Sequence, residues 1–269
     1  MHPFVKWAGG KRQLLDKIID KSPHYFYNYY EPFVGGGAVL FGLQHKNSFV
    51  NDINSHLIHA YKVIKNSPYE LMEALDELDE IKLNEDIYKS IREKYNTHIK
   101  NNIYTLETAA FFIYLNKHGF NGLFRVNSKG LFNVPWNKKE YVVSYNRENI
   151  IAISQFLQNV TLINKDFIDA VKGIEKGDFV FFDSPYAPLK PTSFSSYDKK
   201  GFKLVDHERL ADLFERLDKK GVFCMLTNHN TELINSLYNN YNIEEVNVRR
   251  NINSDASKRS GKELIITNY

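Results

Sequence analysis

The tetrapeptide Asp183-Ser184-Pro185-Tyr186 places an acid, a small polar residue, a proline and an aromatic ring directly after an apolar run. Proline cannot continue a strand and biases the residue before it towards an extended backbone, so the Ser184 carbonyl can point outward beside the Asp183 carboxylate. Two acceptors and a neighbouring aromatic face suit a flat group that carries an amino group. For these four residues alone, an ordinary strand end closed by a turn proline is an equally good interpretation.

The apolar run before the tetrapeptide, residues 179–182, has the length and the aromatic and β-branched composition of a strand. Both of its faces are apolar, which is typical of a parallel strand covered by helices. Ligands of such sheets bind beyond the carboxyl ends of the strands, and the tetrapeptide falls at that position. We therefore predict an α/β fold with a functional site at this strand end.

A second candidate site follows an earlier tyrosine-rich strand. Glu31 precedes the consecutive glycines 35–37, and residues 48–50 predict the next strand, which is followed by Asp52. Glycines let a ligand approach the backbone closely, and an acid at the end of a second strand is where nucleoside-binding α/β folds bind a ribose. The Gly-x-Gly-x-x-Gly spacing of dinucleotide-binding folds is absent, so the pattern favours a nucleoside cofactor other than a nicotinamide dinucleotide.

The N-terminal segment has a Gly9-Gly10 turn, then Lys11, then a predicted helix from Gln13 to Ile19. The spacing of a phosphate-binding P-loop is absent. Backbone amides at a helix start, together with Lys11, suit a carboxylate. Taken alone, the segment is better explained as an ordinary turn.

The alternation of strands and helices is interrupted once. From about Asp86 to Tyr145 the pattern is helical, which predicts an inserted subdomain. Alternation then resumes, with predicted strands at 161–167, 179–182, 222–227, 242–248 and 263–268. A helix with apolar residues at 210–217 is predicted to end at Gly221, and the Pro- and Ser-containing segment 187–201 is predicted to be a mobile loop.

Within the insertion, residues 116–136 are rich in Gly and Asn, which predicts a loop or a β-hairpin. Cations alternate there with large apolar side chains, a combination that fits a nucleic-acid groove. The alternative is a hairpin that packs its aromatic side chains onto the sheet.

Composition limits the partners and the setting. The chain has 269 residues, a formal net charge of +3 and a single cysteine, Cys224. This charge is compatible with a polyanionic partner, and one cysteine fits a reducing cytoplasm. The sequence shows neither a membrane-spanning apolar stretch nor a signal-peptide pattern, so we expect a cytoplasmic protein without a membrane partner. His118 and His229 have no ligand-type neighbours at metal-binding spacing, so no metal site is predicted.

Five motifs in a fixed order resemble the Dam-type D12 class of DNA N6-adenine methyltransferases, and within it the branch that methylates GATC. They are Phe-Val-Lys-Trp-Ala-Gly-Gly-Lys (4–11), Glu-Pro-Phe-Val-Gly-Gly-Gly (31–37), Asn-Asp-Ile-Asn (51–54), Asn-Gly-Leu-Phe-Arg (121–125) and Asp-Ser-Pro-Tyr (183–186). The resemblance implies a Rossmann-like S-adenosylmethionine-dependent methyltransferase sheet with an inserted, mainly helical DNA-recognition domain that carries a β-hairpin. On this basis we assign residues 1–65 and 155–269 to a catalytic domain and residues 66–154 to target recognition.

The resemblance also implies roles for individual residues. Catalytic positions are Asp183, Ser184, Pro185 and Tyr186. Cofactor-binding positions are Trp7, Lys11, Glu31, Phe33, Gly35, Gly36, Gly37, Asp52, Asp166, Phe167 and Asp183. DNA-contacting positions are Lys6, Phe120, Asn121, Leu123, Arg125, Asn127, Pro135 and Lys139. The implied cofactor is S-adenosyl-L-methionine, which becomes S-adenosyl-L-homocysteine, without a metal; the implied substrate is double-stranded DNA with the target adenine flipped out of the duplex.

One residue departs from the family pattern. The family usually has Asp-Pro-Pro-Tyr, and Ser184 replaces the first proline here. The role at that position belongs to a backbone carbonyl, so serine can serve. Serine adds an N–H group and frees φ, which makes the pocket less rigid.

Three alternatives to a GATC-specific enzyme stay open from the sequence. They are the same chemistry on a different short site, an RNA adenine methyltransferase, and a catalytically inactive DNA-binding module. We expect a monomer, because a short palindrome can be read one strand at a time. A separate restriction endonuclease that acts on the same site would be a natural partner, and the protein would associate with the nucleoid through DNA.

Overall fold

The computed structural model describes residues 1–139, 141–189, 201–249 and 260–269. The chain divides into two compact units. The first comprises Met1–Gly10, Gly35–Lys46 and Asp52–Asn164, and the second comprises Lys11–Val34, Asn47–Asn51 and Lys165–Tyr269. The predicted boundaries at residues 65 and 155 are drawn between a catalytic and a DNA-recognition function. They do not coincide with the limits of the compact units, and the functional division stays a prediction.

Seven strands form one sheet in the order β3-β2-β1-β4-β5-β7-β6. Their bounds are Tyr29–Glu31 (β1), Ser48–Asn51 (β2), Val160–Ile163 (β3), Phe179–Phe182 (β4), Phe223–His229 (β5), Asn242–Arg249 (β6) and Ser260–Thr267 (β7). Strand β1 pairs parallel with β2 and β4, and β4 pairs parallel with β5, whereas β7 is antiparallel to both β5 and β6. This mostly parallel sheet confirms the predicted Rossmann-like α/β class.

The second unit is built around β4. All four side chains of Phe179–Phe182 are buried, as their two-sided apolar pattern predicts. The helices of this unit are α1 (Leu15–Lys21), α8 (Phe167–Ala170), α9 (Leu204–Lys220) and α10 (Glu232–Leu237). Helix α9 buries Leu210 and Phe214 in the same core as Phe182, and it ends as predicted at Gly221, whose φ of 80° is left-handed.

The first unit is mainly helical. Its helices are α2 (Ala38–Leu43), α3 (Ser55–Asn66), α4 (Pro68–Asp79), α5 (Glu85–Lys100), α6 (Leu106–His118) and α7 (Arg147–Leu157). Helix α6 is apolar on almost every side, which predicts a buried helix. It packs against α3, α4 and α5, and a capping box between Thr105 and Thr108 begins it.

Three sequence predictions differ from the structure in their local boundaries. Residues 116–118 belong to α6 rather than to the hairpin, because the buried face of that helix continues to His118. Strand β3 ends at Ile163, and Phe167 begins α8 because the Asp166 side chain caps that helix. The hairpin contains only two isolated bridges, Gly119↔Trp136 and Val126↔Phe132, rather than continuous strands.

The hairpin stays irregular because helix-borne side chains bond part of its backbone. Asn96 of α5 accepts from the Phe132 backbone N–H at 2.8 Å and donates to the Phe132 carbonyl at 3.0 Å. These bonds satisfy the groups that a neighbouring strand would otherwise pair. The predicted loop at 187–201 lies largely outside the described residues.

Candidate active site and DNA-binding residues

Asp183 follows the carboxyl end of β4, where its Oδ1 atom receives two partners. Lys11 Nζ lies 2.6 Å from Oδ1, and the Thr227 hydroxyl donates to the same atom at 3.1 Å. Burial raises the pKa of the Asp183 carboxyl, Lys11 and Thr227 act in the opposite direction, and the Glu263 carboxylate raises it further. Both bonds fall on Oδ1, and within the described parts of the chain no hydrogen bond reaches Oδ2, which can therefore accept from a substrate amine.

Tyr186 is held at both its hydroxyl and its ring. Its hydroxyl donates to Glu263 Oε2 at 2.7 Å. The His229 ring meets the tyrosine ring edge-on at 4.7 Å between centroids, and Lys11 Nζ lies 4.6 Å from the tyrosine centroid. Burial raises the pKa of Tyr186 and the nearby carboxylates raise it further, so the phenol keeps its proton and remains the donor.

The end of β5 supports the remainder of the tetrapeptide. Asn228 Oδ1 accepts from the Ala187 backbone N–H at 2.9 Å, and His229 Nδ1 lies 2.9 Å from the Ala187 carbonyl oxygen. Ser184 is 1% exposed, whereas Pro185 is exposed. The Ser184 hydroxyl lies 3.5 Å from Asn228 Nδ2, which is at the distance limit of a hydrogen bond.

Sequence reasoning missed Thr227, Asn228, His229 and Glu263. The first three are polar residues at the carboxyl end of an apolar strand, the same signal that singled out Asp183, and β5 is the parallel neighbour of β4. Glu263 had no local signal. It comes to the site because β7 pairs with β5 in the register that sets it opposite His229.

The predicted adenine contacts of the cofactor lie together in the second unit. The Phe33 and Phe167 rings are 5.4 Å apart, and Arg209 Cζ lies 4.9 Å from the Phe167 centroid. Arg209 Nη2 also donates to Asp166 Oδ1 at 2.9 Å. Sequence reasoning missed Arg209, which binds the predicted acid and covers the predicted ring.

Glu31 is buried in β1 of the same unit. Its Oε2 atom accepts from the Tyr29 hydroxyl at 2.8 Å. Burial raises the pKa of Tyr29, and the Glu31 carboxylate raises it further. The structure therefore gives Glu31 a structural partner in addition to its predicted cofactor role.

In the first unit, Asp52 is bound to the glycine loop. Its Oδ2 atom accepts from the Gly35 backbone N–H at 3.1 Å and its Oδ1 atom accepts from the Asn54 backbone N–H at 2.8 Å. Burial raises the pKa of Asp52, while these two bonds act in the opposite direction. Each carboxylate oxygen keeps acceptor capacity for a hydroxyl group, so the residue fits the ribose of a nucleoside.

The glycine loop packs closely on its surroundings, which leaves no room for a Cβ at Gly35 or Gly37 and little at Gly36. A Cβ at Gly35, whose φ is +50°, would lie 2.8 Å from Trp7 Cδ1, and one at Gly36 would lie 3.3 Å from Trp7 Cβ. A Cβ at Gly37 would lie 2.6 Å from the Tyr61 hydroxyl oxygen. The first unit thus brings together five predicted cofactor-binding positions: Trp7, the three glycines and Asp52.

Asn116 of α6 joins Lys6 to the recognition hairpin. Its side chain accepts from the Lys6 backbone N–H at 2.8 Å, donates to the Lys6 carbonyl at 2.9 Å and donates to the Gly122 carbonyl at 2.8 Å. Gly122 has a φ of +63°, and a Cβ there would lie 2.4 Å from Lys6 Cδ. Two predicted DNA-contacting segments, at residue 6 and at residues 120–123, are therefore fixed to one another.

The remaining predicted DNA contacts occupy the hairpin and its flanks. Arg125 Nε donates to Asn133 Oδ1 at 2.8 Å and Arg125 Nη2 donates to the Asn133 carbonyl at 3.2 Å. The Phe120 backbone N–H donates to the Pro135 carbonyl at 2.8 Å, and the Phe120 side chain is 51% exposed. Asn121 has a φ of 55°. The side chains of Asn121, Asn127 and Lys139 are exposed, and the Leu123 side chain is half-buried.

Asn127 serves the turn of the hairpin itself. Its Oδ1 atom accepts from the backbone N–H groups of Lys129 at 2.9 Å and Leu131 at 3.1 Å. The carbonyl oxygen of the side chain is thus engaged inside the hairpin, and the amide NH2 is the part that can reach DNA.

Within the described ranges, no group of three or more His, Cys, Asp and Glu side chains is placed to hold a metal ion. No helix among the same residues has the length and apolar composition needed to cross a bilayer.

Comparison with known proteins gives concordant matches. A family model described as D12 class N6 adenine-specific DNA methyltransferase matches residues 7–252. The chain is 40% identical to the type II methyltransferase M1.LlaDCHI of Lactococcus lactis subsp. cremoris, across 100% of this chain and 96% of that protein. It is 41% identical to the type II methyltransferase M.MjaIII of Methanocaldococcus jannaschii, across 99% of both.

A third relative carries a different name. The chain is 32% identical to the DNA adenine methylase of Escherichia coli K12, across 99% of this chain and 94% of that protein. Family models and relatives of this coverage confirm the resemblance inferred from the motifs, and such a family implies use of S-adenosylmethionine and action on DNA. The chain belongs to the D12 class of N6 adenine-specific DNA methyltransferases.

Proposed function

We propose that this protein transfers a methyl group from S-adenosyl-L-methionine to N6 of an adenine flipped out of duplex DNA, within the sequence GATC. The observation that carries the proposal is the arrangement at the end of β4, where Lys11 and Thr227 hold one oxygen of Asp183 and the Tyr186 ring is fixed beside it. An oriented carboxylate with an open oxygen and an aromatic face suit a planar base that carries an amine.

The chemistry follows from this arrangement. Bound S-adenosyl-L-methionine supplies an electrophilic methyl group. Asp183 Oδ2 and the Ser184 carbonyl accept the two hydrogens of the target amine, which directs the nitrogen lone pair out of the ring plane. Tyr186 stacks on the base and keeps it in that orientation. Positioning of this kind can contribute about 7–11 kcal/mol to lowering the barrier.

The cofactor roles proposed for the first unit rest on Asp52 and its glycine loop. Asp52 accepts from the ribose hydroxyls, because both of its oxygens keep acceptor capacity beyond their backbone bonds. Trp7 packs against the loop, as the lack of room for a Cβ at Gly35 indicates. In the second unit, Asp166, Phe167 and Phe33 contact the adenine, and Glu31 contacts the methionine part.

Site recognition belongs to the hairpin and to Lys6. Arg125 binds guanine O6 and N7, since its bonds to Asn133 leave Nη1 and one hydrogen of Nη2 for a partner. Leu123 contacts a thymine methyl group, and Lys6 binds the guanine that precedes the target adenine. Phe120, Asn121, Asn127, Pro135 and Lys139 complete the DNA-contacting set.

We further propose that the enzyme acts as a monomer in the cytoplasm. The names of two relatives, both type II methyltransferases, support a partner restriction endonuclease that cuts the same site. The methyltransferase would then protect the DNA of its own cell.

One experiment tests substrate and site together. Radiolabelled methyl transfer is measured on a duplex containing GATC, on a duplex with one changed base pair, and on an RNA of the same sequence, followed by sequencing of modified sites in plasmid DNA. We expect label in the GATC duplex alone and resistance of the plasmid to a GATC-cutting nuclease. Label at another site would overturn the GATC assignment, label in RNA would overturn the DNA substrate, and a folded protein without transfer would overturn the activity.

A further inference from the structure

The hydroxyl of Tyr186 has an acidic partner that the proposed reaction does not explain. Glu263 lies in β7, and its Oε2 atom accepts from the Tyr186 hydroxyl at 2.7 Å. Seventy-seven positions separate the two residues, and the antiparallel pairing of β7 with β5 brings them together. The Thr227 hydroxyl also hydrogen-bonds to the Tyr186 side chain, His229 meets the edge of the ring, and Lys11 lies over its face.

The charge of Glu263 acts on the other carboxylate of the candidate site. Asp183 is a second carboxylate of the same site, and the Glu263 charge raises the pKa of Asp183. Lys11 is the cation paired with Asp183, at 2.6 Å. A neutral acceptor such as glutamine, or a phenylalanine that needs no acceptor, would avoid this repulsion between like charges. A local conflict of this kind is expected where a residue serves function rather than stability.

A fixed hydroxyl has a direct consequence for a stacked base. The tyrosine side chain is connected to the backbone only through Cβ, so its plane can tilt unless its far end is bound. A charged acceptor binds that end more strongly than a neutral one. The plane of the ring, and with it the plane of a base stacked on it, is then defined relative to Asp183.

We propose that Glu263 is a positioning residue for the target adenine, which holds the Tyr186 ring in the plane where the base stacks beside Asp183. This inference rests on the proposed function, because it assumes that Tyr186 stacks on the flipped base.

The test compares Glu263→Leu, Glu263→Gln, Tyr186→Phe and the double variant Tyr186→Phe/Glu263→Leu. Glu245→Gln is the control, because Glu245 is an exposed acid of the adjacent strand β6 that pairs with Lys262. Two quantities are measured: the single-turnover rate of methyl transfer, and the fluorescence of 2-aminopurine placed at the target position of a bound duplex. Circular dichroism melts confirm that each variant is folded.

We expect Glu263→Leu to lower the single-turnover rate about 10- to 100-fold, the range of a hydrogen bond to a charged group, with a much smaller change in KM for DNA. The 2-aminopurine signal should rise, because a flipped base that is not held on the ring is quenched less. Glu263→Gln should recover part of the rate, since its amide oxygen still accepts but carries no charge. The double variant should be no slower than the slower single variant, because both changes remove the same hydrogen bond between Tyr186 and Glu263.

Three results would overturn the inference: a folded Glu263→Leu variant with the parent rate, losses that add in the double variant, or a 2-aminopurine signal equal to that of the parent. The fluorescence also separates this inference from the proposed function. A parent protein that flips 2-aminopurine at the target position but transfers no methyl group to the duplex with adenine at that position contradicts the proposed reaction, whereas the variants still report whether Glu263 holds the base.

Discussion

Replacing Lys11 by methionine removes the cation from the buried pair at the active site and keeps a side chain of similar length. In the parent protein Lys11 is 5% exposed and Asp183 is 19% exposed, with 2.6 Å between Nζ and Oδ1. The variant leaves the Asp183 carboxylate with the Thr227 hydroxyl as its remaining bonded partner at 3.1 Å.

The expected loss of stability follows from this burial. Removing one member of a buried ion pair costs roughly 3–5 kcal/mol, because the other charge remains uncompensated. Asp183 keeps some exposure and one hydrogen bond, so we expect the lower end, about 3 kcal/mol in the free energy of unfolding. On the scale of domains of 150–250 residues this lowers Tm by roughly 6–12 °C.

The loss should depend on pH in one direction. Without Lys11 the pKa of Asp183 in the native state rises further above its unfolded value, so the native state binds a proton that the unfolded state releases. Stability of the variant therefore increases as pH falls through that native pKa. Urea unfolding should show the largest difference from the parent at alkaline pH and a smaller one at acidic pH.

A double variant and a surface control complete this experiment. Lys11→Met/Asp183→Asn removes the buried charge and should recover much of the loss, whereas Lys219→Met breaks an exposed pair with Glu215 and should cost no more than about 1 kcal/mol. The reasoning is refuted if Lys11→Met is equally destabilised at both pH values and the double variant is less stable than either single variant.

Three further predictions concern cofactor, tetrapeptide and specificity. Asp52→Ala should weaken S-adenosylmethionine binding in calorimetry by more than tenfold, because a charge-assisted bond worth roughly 1.5–3 kcal/mol is lost; an unchanged Kd in a folded variant contradicts the ribose role. Ser184→Pro should retain methyl transfer, since proline keeps the carbonyl; an inactive but folded variant would reveal a role for the Ser184 hydroxyl or N–H. Arg125→Ala should reduce discrimination at one guanine by about 1–3 kcal/mol in competition assays; an equal loss on all sequences, with a shallower salt dependence, would instead indicate a phosphate contact.

Local sequence signals determined the main elements around the candidate site. The apolar run 179–182 predicted the buried strand β4, whereas the site proposed at its end stays a prediction. The left-handed Gly221 ended α9 where the pattern indicated, and the glycines before Asp52 predicted a loop that the structure binds to this acid. These signals succeed because strand burial, helix ends and tight turns depend on residues that are neighbours in the chain.

Contacts between distant residues were decided only by the tertiary structure. Asn116 bonds to Lys6 across 110 positions, and Tyr186 bonds to Glu263 across 77. Arg209 of α9 donates a hydrogen bond to Asp166. The Asn96 side chain accepts from the Phe132 backbone N–H, a group that a neighbouring strand would otherwise bond. Such contacts depend on sheet register and helix packing, and these arise from the summed burial of many side chains rather than from the two residues that finally meet.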